Sequence, residues 1–318
     1  MMKRTLLSCL MLGLAACASE PKSDAGFSGG WVLYPALRPA PQLAPGCPPT
    51  GWARERLDGL KVAKFEIADE AKRQAFAKAI VSCLASPDPE IRDGIAYESL
   101  THMLREKQLS DETKRALLVD LTARLKGEDP LGFARPFAAL ALSEVARADR
   151  VEAFLTEDER VKLLVEAQHW FINIKDYRGF DDAEGWRHGV AHGADLLMQL
   201  ALNPHVDAEG LRLIVSAVAV QVAPKGVSYV DGESERLARP VLFAAARGAL
   251  TEAEWTAWLG ALAKPPEGVD VFGSEAGLAW RHDTVAFLQA LYVNVTLGSD
   301  KADDVMLPGL ATALRAMP

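Results

Sequence analysis

The sequence predicts an all-α body made of stacked helix pairs, and three observations carry that reading. From about residue 68 onward, apolar residues recur with the helical period and nowhere with a convincing period of two. Breakers separate the periodic segments: Pro87 and Pro89, Gly127 to Pro130, Asn203-Pro204, Pro224 to Gly226, and Pro265-Pro266. Helix starts stand where the breakers end. Thr156 with Glu159 and Thr251 with Glu254 form capping boxes, and Ser110 precedes Asp111 and Glu112, whose charges suit the positive end of a helix dipole. At 318 residues, 49% hydrophobic and 25% charged, the chain has ordinary globular composition and enough length for a substantial core.

An internal repeat sets the organisation. Arginines at 92, 135, 187, 239 and 281 are separated by 43, 52, 52 and 42 residues, each near an Ala/Leu-rich helical segment and each preceded within a few residues by an acid. One further amphipathic segment lies between successive arginines. The layout resembles HEAT-type repeats, which implies an α/α solenoid of about five helix pairs; an α/α toroid is the competing architecture. Such units cannot bury their apolar faces alone, so the arginines are expected to bond across neighbouring units.

The first sixteen residues have the parts of an export signal: Lys3 and Arg4, an apolar run from Leu6 to Leu14, then small residues. That run is too short to cross a bilayer, which takes about 20 residues. Leu14-Ala15-Ala16-Cys17 resembles the bacterial lipobox, which implies acylation of Cys17, palmitate included, and a lipid-anchored chain of the cell envelope. Ala18 in place of Asp implies the periplasmic side of the outer membrane. Residues 17–50 then read as a Pro/Gly-rich tether, in which Trp31 to Tyr34 are apolar enough to dock on the body at 51–318. Cys47 and Cys83 stand in an oxidising compartment, either bonded to each other or as two free thiols. Without residues 1–16, which hold Lys3 and Arg4 and no acid, the net charge is −10. An acidic body with no basic stripe argues against nucleic acid as a partner.

The densest chemistry lies between Asp176 and Asp195. Read as one helix over 185–195, His188, His192 and Asp195 share a face, and Gly185, Gly189 and Gly193 form a bare stripe beside them. Each interior glycine costs about 1 kcal/mol against alanine, so a close neighbour or a ligand is expected there. Two histidines and an aspartate at that spacing suit a divalent metal such as zinc, with Asp176 or Glu184 as a further ligand. They also suit a polar knot in which the histidines bond Asp195 and Arg178 across the repeat interface. The middle of the pattern is not His-Glu-x-x-His, so the general base of zinc proteases is missing, and no nucleophile elbow or phosphate loop is present.

The run Arg178-Gly179-Phe180, then Gly185-Trp186, His188, and Ala191-His192-Gly193-Ala194-Asp195, resembles a bacterial family known as domain of unknown function 2785, as does the earlier Asp88-Pro89-Glu90-Ile91-Arg92-Asp93. The resemblance extends over residues 68–318 and implies an all-helical repeat body with no established activity. The expected site comprises Arg178, Glu184, Trp186, His188, His192 and Asp195, with Trp280 and His282 of the second Trp-Arg-His as secondary members on a long helix from Ser274 to Leu297. On a curled solenoid these would line a concave face with Tyr97, Glu98 and His102. The function expected is a binding or scaffold module for an envelope protein, peptide or glycan; the alternative is a metal-assisted hydrolase centred on His188, His192 and Asp195.

Overall fold

The computed structural model describes residues 44–318. The export signal, Cys17 and the tether as far as residue 43, Trp31 to Tyr34 included, lie outside the described residues. Thirteen α-helices follow: α1 (Arg54–Val62), α2 (Glu70–Ile80), α3 (Pro89–Ile91), α4 (Glu98–Arg105), α5 (Asp111–Lys126), α6 (Ala134–Val151), α7 (Glu157–Ile172), α8 (Gly189–Leu202), α9 (Ala208–Gln221), α10 (Glu233–Ala246), α11 (Glu252–Leu262), α12 (Glu275–Leu297) and α13 (Leu307–Ala316). Between α3 and α4, Arg92–Tyr97 form a π-helical stretch, so Pro89 to Arg105 is one rod with a widened turn.

The helix ends follow the local chemistry. Asp69, Asp88, Ser110, Asp207 and Ser274 each accept a backbone N–H in the first turn of the helix they precede. Both Thr–Glu capping boxes close reciprocally. The helices form two rows. One holds α2, α5, α7 and α9; the other holds α4, α6, α8, α10 and α12. The helices of the second row pack chiefly on one another, whereas α5 packs most on α6 across the rows and α9 packs on both α7 and α10. That is an all-α solenoid of helix pairs. The last pair departs from the rule, because α13 packs on both α11 and α12. No described helix is long and apolar enough to cross a membrane.

Charge links the units. Arg115 in the first turns of α5 bonds Glu159 of α7 at 3.0 Å, and Arg212, equivalently placed in α9, bonds Glu254 of α11 at 2.8 Å. Both acids are the capping-box glutamates, so one carboxylate closes a helix start and ties it to the preceding unit. In the second row, Arg105 of α4 chelates Glu144 of α6, and Arg236 of α10 chelates Asp195 of α8.

The arginine repeat seen in the sequence does not mark equivalent positions. Arg92 and Arg187 make long-range bonds, but Arg135 bonds Gly127 of its own loop, and Arg281 bonds the Pro318 carbonyl. Arg239 sits in mid-α10, 3.9 Å from Asp195. The real ladder pairs are others, because spacing alone does not report which side of a helix faces its neighbour.

At the start of the body, a disulfide joins Cys47 to Cys83 in the 3-10 turn Val81–Ala85, and Cys47 is buried in the core. The glycines of α8 have separate explanations. A Cβ on Gly193 would stand 2.4 Å from the Phe171 ring, so α7 approaches there as only glycine allows. Gly59, on α1, faces open space. We therefore expect Gly193→Ala to destabilise the fold by about 1–3 kcal/mol through overpacking, and Gly59→Ala to be neutral or stabilising by up to about 1 kcal/mol. Urea denaturation of both variants checks the contrast.

Candidate functional site

The expected helix over 185–195 is not what forms. Residues 180–186 make a short antiparallel hairpin, with Phe180 paired to Trp186 and Asp181 to Gly185. Gly185 takes φ of +72°, which a hairpin turn accommodates and a helix does not. The chain then passes through His188 in a left-handed conformation (φ 53°), and α8 begins at Gly189. Strands of two residues leave no alternation to detect, which is why the sequence reads as uninterrupted helix.

The hairpin is held to distant parts of the stack. Arg92, fully buried on the π-helical stretch, donates to the Glu184 carbonyl at 2.9 Å and to the Ser86 carbonyl at 3.1 Å, and pairs with Asp93 at 2.7 Å. Arg187 donates to the Leu131 carbonyl at 2.9 Å and to the Glu184 carboxylate at 2.7 Å. Both guanidinium groups lie 4.2 Å from the centre of the Phe133 ring. On the far side, the Asp231 carboxylate accepts the Phe180 N–H. The Arg178 side chain bonds Asp176 and the Leu131 carbonyl and neither histidine ring, while its backbone carbonyl accepts the His188 N–H at 3.0 Å.

This clamp sets the aromatic residues. Trp186 is 38% exposed and lies nearly parallel to the buried His188 ring, with centres 4.6 Å apart; Phe180 packs on it at 4.9 Å. The His188 and His192 rings are 5.8 Å apart. Burial, with Arg236 nearby, lowers His188 to about 4, and burial, with His188 and Arg236 nearby, holds His192 well below its ordinary value. Both rings are therefore neutral at pH 7. His188 bonds the Asp231 carbonyl and His192 the Pro136 carbonyl. Nε2 of His188 and Nδ1 of His192 remain without a hydrogen-bond partner among the described residues, so each is a buried lone pair. His188 Nε2 stands 3.6 Å from Glu233, whose carboxyl burial pushes up.

Asp195 does not join the histidines. Its carboxylate is chelated by Arg236, with Arg239 3.9 Å away. The knot in which the histidines bond Asp195 and Arg178 is therefore absent, and among the described residues no three His, Cys, Asp or Glu side chains are grouped to hold a metal. His188 stands just before α8 with its ring still beside His192, but Asp195 turns to Arg236, so the trio does not converge. The secondary members also lie elsewhere: Trp280 is core at 7% exposure, and His282 bonds the Tyr229 carbonyl at 3.2 Å.

Sequence reasoning missed Arg105, Glu144, Glu233, Arg236 and the π turn. A signal for the ion pairs existed. Opposite charges recur 39 residues apart in Arg105–Glu144, 41 in Asp195–Arg236 and 42 in Arg212–Glu254. On this row the Arg105–Glu144 and Arg236–Asp195 pairs each set a buried acid beneath a more exposed arginine.

With this geometry in view, the comparison with known families is direct. A family model described as "Protein of unknown function (DUF2785)" matches residues 117–293, more than half of the chain. The chain belongs to that family. The matched span is narrower than 68–318 and runs from α5 to α12, taking in the hairpin, both histidines and the Asp195 pair, while Arg92 falls outside it. No curated protein and no solved structure matches the chain.

Behind the site, the loop that supplies Asp231 rests on a buried acid. Asp283 of α12 is fully buried and accepts the Tyr229 N–H at 2.8 Å, while its Oδ2 has no hydrogen-bond partner among the described residues. Burial pushes this carboxyl up to about 6. The folded state thus holds the proton more tightly than the unfolded chain, and the associated stability is lost as pH rises from about 4 through 6. Asp283→Asn should be more stable than the parent at pH 7.5, by about 1–3 kcal/mol, with the gap closing below pH of about 4. Thermal melts across that range measure it.

Proposed function

We propose that this chain is a lipid-anchored binding module of the bacterial cell envelope, attached through acylated Cys17 to the periplasmic side of the outer membrane. Its second helix row and hairpin form the receptor surface, and the partner presents a peptide or a glycan end. The observation that carries the reading is Trp186. A half-open aromatic ring is held flat against a buried, neutral histidine, and that histidine occupies a backbone conformation costly for any residue but glycine. An aromatic plate so fixed loses little entropy on contact and suits the apolar faces of sugars and peptide side chains. Arg236, paired with Asp195, lies close enough to act on the His188 ring beneath the indole. The anchor rests on Leu14-Ala15-Ala16-Cys17 and on Ala18.

The metal-assisted hydrolase centred on His188, His192 and Asp195 has no observation in its favour, since Asp195 is committed to Arg236.

Two measurements test the proposal. Titration with short glycopeptides of the cell wall should give saturable binding that Trp186→Ala weakens at least about tenfold, a loss of roughly 1.4 kcal/mol, without shifting the melting temperature. Equal affinity in the variant removes Trp186 from recognition. In cells, Cys17→Ser should abolish incorporation of labelled palmitate and release the protein from the membrane fraction; a variant that stays labelled and membrane-bound refutes the anchor.

A further inference from the structure

On another side of the hairpin lies a cleft of about 590 Å³, walled by the ends of α5 and α7, the starts of α6 and α8, and the segment leading into the hairpin. One part of its wall is apolar: Leu125, Pro136, Trp170 and Ile174. The rest is charged, and the charges are unevenly committed. Asp129 accepts four backbone N–H groups, from Gly132, Phe133, Ala134 and Arg135. Glu166 pairs with Lys126 at 2.6 Å, and Asp176 pairs with Arg178. Every acid on the wall therefore has its partner.

The cations do not. Lys175 makes no ion pair or hydrogen bond among the described residues, and Arg135 uses only Nε, on the Gly127 carbonyl, leaving both terminal nitrogens free. Helix α8 opens on the same cleft at Gly189 with no side-chain cap. The first-turn amides of a helix have no partner within it, so this end presents the positive pole of the α8 dipole to the cleft.

We propose that this cleft binds a small organic anion, its oxyanion held between Lys175, Arg135 and the open end of α8, and its apolar body against Trp170 and Ile174. The site is separate from the Trp186 surface and stands or falls independently of it.

The test is calorimetric titration of the purified full-length protein with phenyl phosphate, and with inorganic phosphate in parallel. Phenyl phosphate should bind saturably and at least tenfold more tightly than inorganic phosphate, because only the former uses the apolar wall. Lys175→Ala and Arg135→Ala, both at exposed positions, should each weaken it about tenfold, while Lys225→Ala, at an exposed site outside the cleft, should leave it unchanged. No saturable heat with phenyl phosphate, equal affinity for the two probes, or affinity unaltered by both cleft variants overturns the proposal.

Discussion

The geometry of the hairpin depends on one buried guanidinium. Arg92 is fully inaccessible, and a lone charge in that position would cost several kcal/mol in lost hydration. The surroundings offset this with Asp93, two carbonyl oxygens, and the faces of Phe133 and Phe137. One of those carbonyls belongs to Glu184, 92 residues along the chain, so the bonding need of a charge in the first helix pair fixes the backbone of the hairpin. The π turn at Arg92–Tyr97 begins at Arg92, so the widened turn sits where the rod meets the hairpin.

The stack itself is held by a different device, used twice. A capping-box glutamate already has its carboxylate oriented by its own helix, so little further side-chain freedom is lost when Arg115 or Arg212 bonds it. Exposed ion pairs formed from two free side chains contribute little for that reason. Here one partner is preorganised, and the same contact sets the register of adjacent units. Backbone bonds from Thr156 and Thr251, with the arginines, hold Glu159 and Glu254 below the ordinary carboxylate range, so both carry charge at neutral pH.

Much of the fold was legible in the chain because helix boundaries are local chemistry. Ser110, Thr156 and Thr251 cap helices where their sequence context predicts, and among the described residues the prolines fall between helices except where Pro89 and Pro308 stand in a first turn and Pro136 and Pro240 sit inside their helices. The site was less legible because its decisive facts are not local. Nothing near Gly185 in the sequence says that Arg92 will hold the neighbouring carbonyl, and that contact favours a turn over a helix continuing through Trp186. The error of phase then carried forward. Once His188 was assigned to the helix, its alignment with His192 and Asp195 followed from arithmetic, although the chain turns left-handed at that residue.

That turn also separates two kinds of polar group that the sequence writes together. Asp195 faces α10 and meets two arginines, so it stays within the charged ladder. His188 and His192 face buried, partly aromatic surroundings with cations in range, and both effects favour the neutral ring. Carbonyl partners on one nitrogen of each ring then leave the other as an acceptor. A metal ligand set needs its acid and its imidazoles to converge, and here arginine has taken the acid. What remains beneath the exposed indole is a pair of uncharged rings, each with one buried nitrogen lacking a hydrogen-bond partner among the described residues.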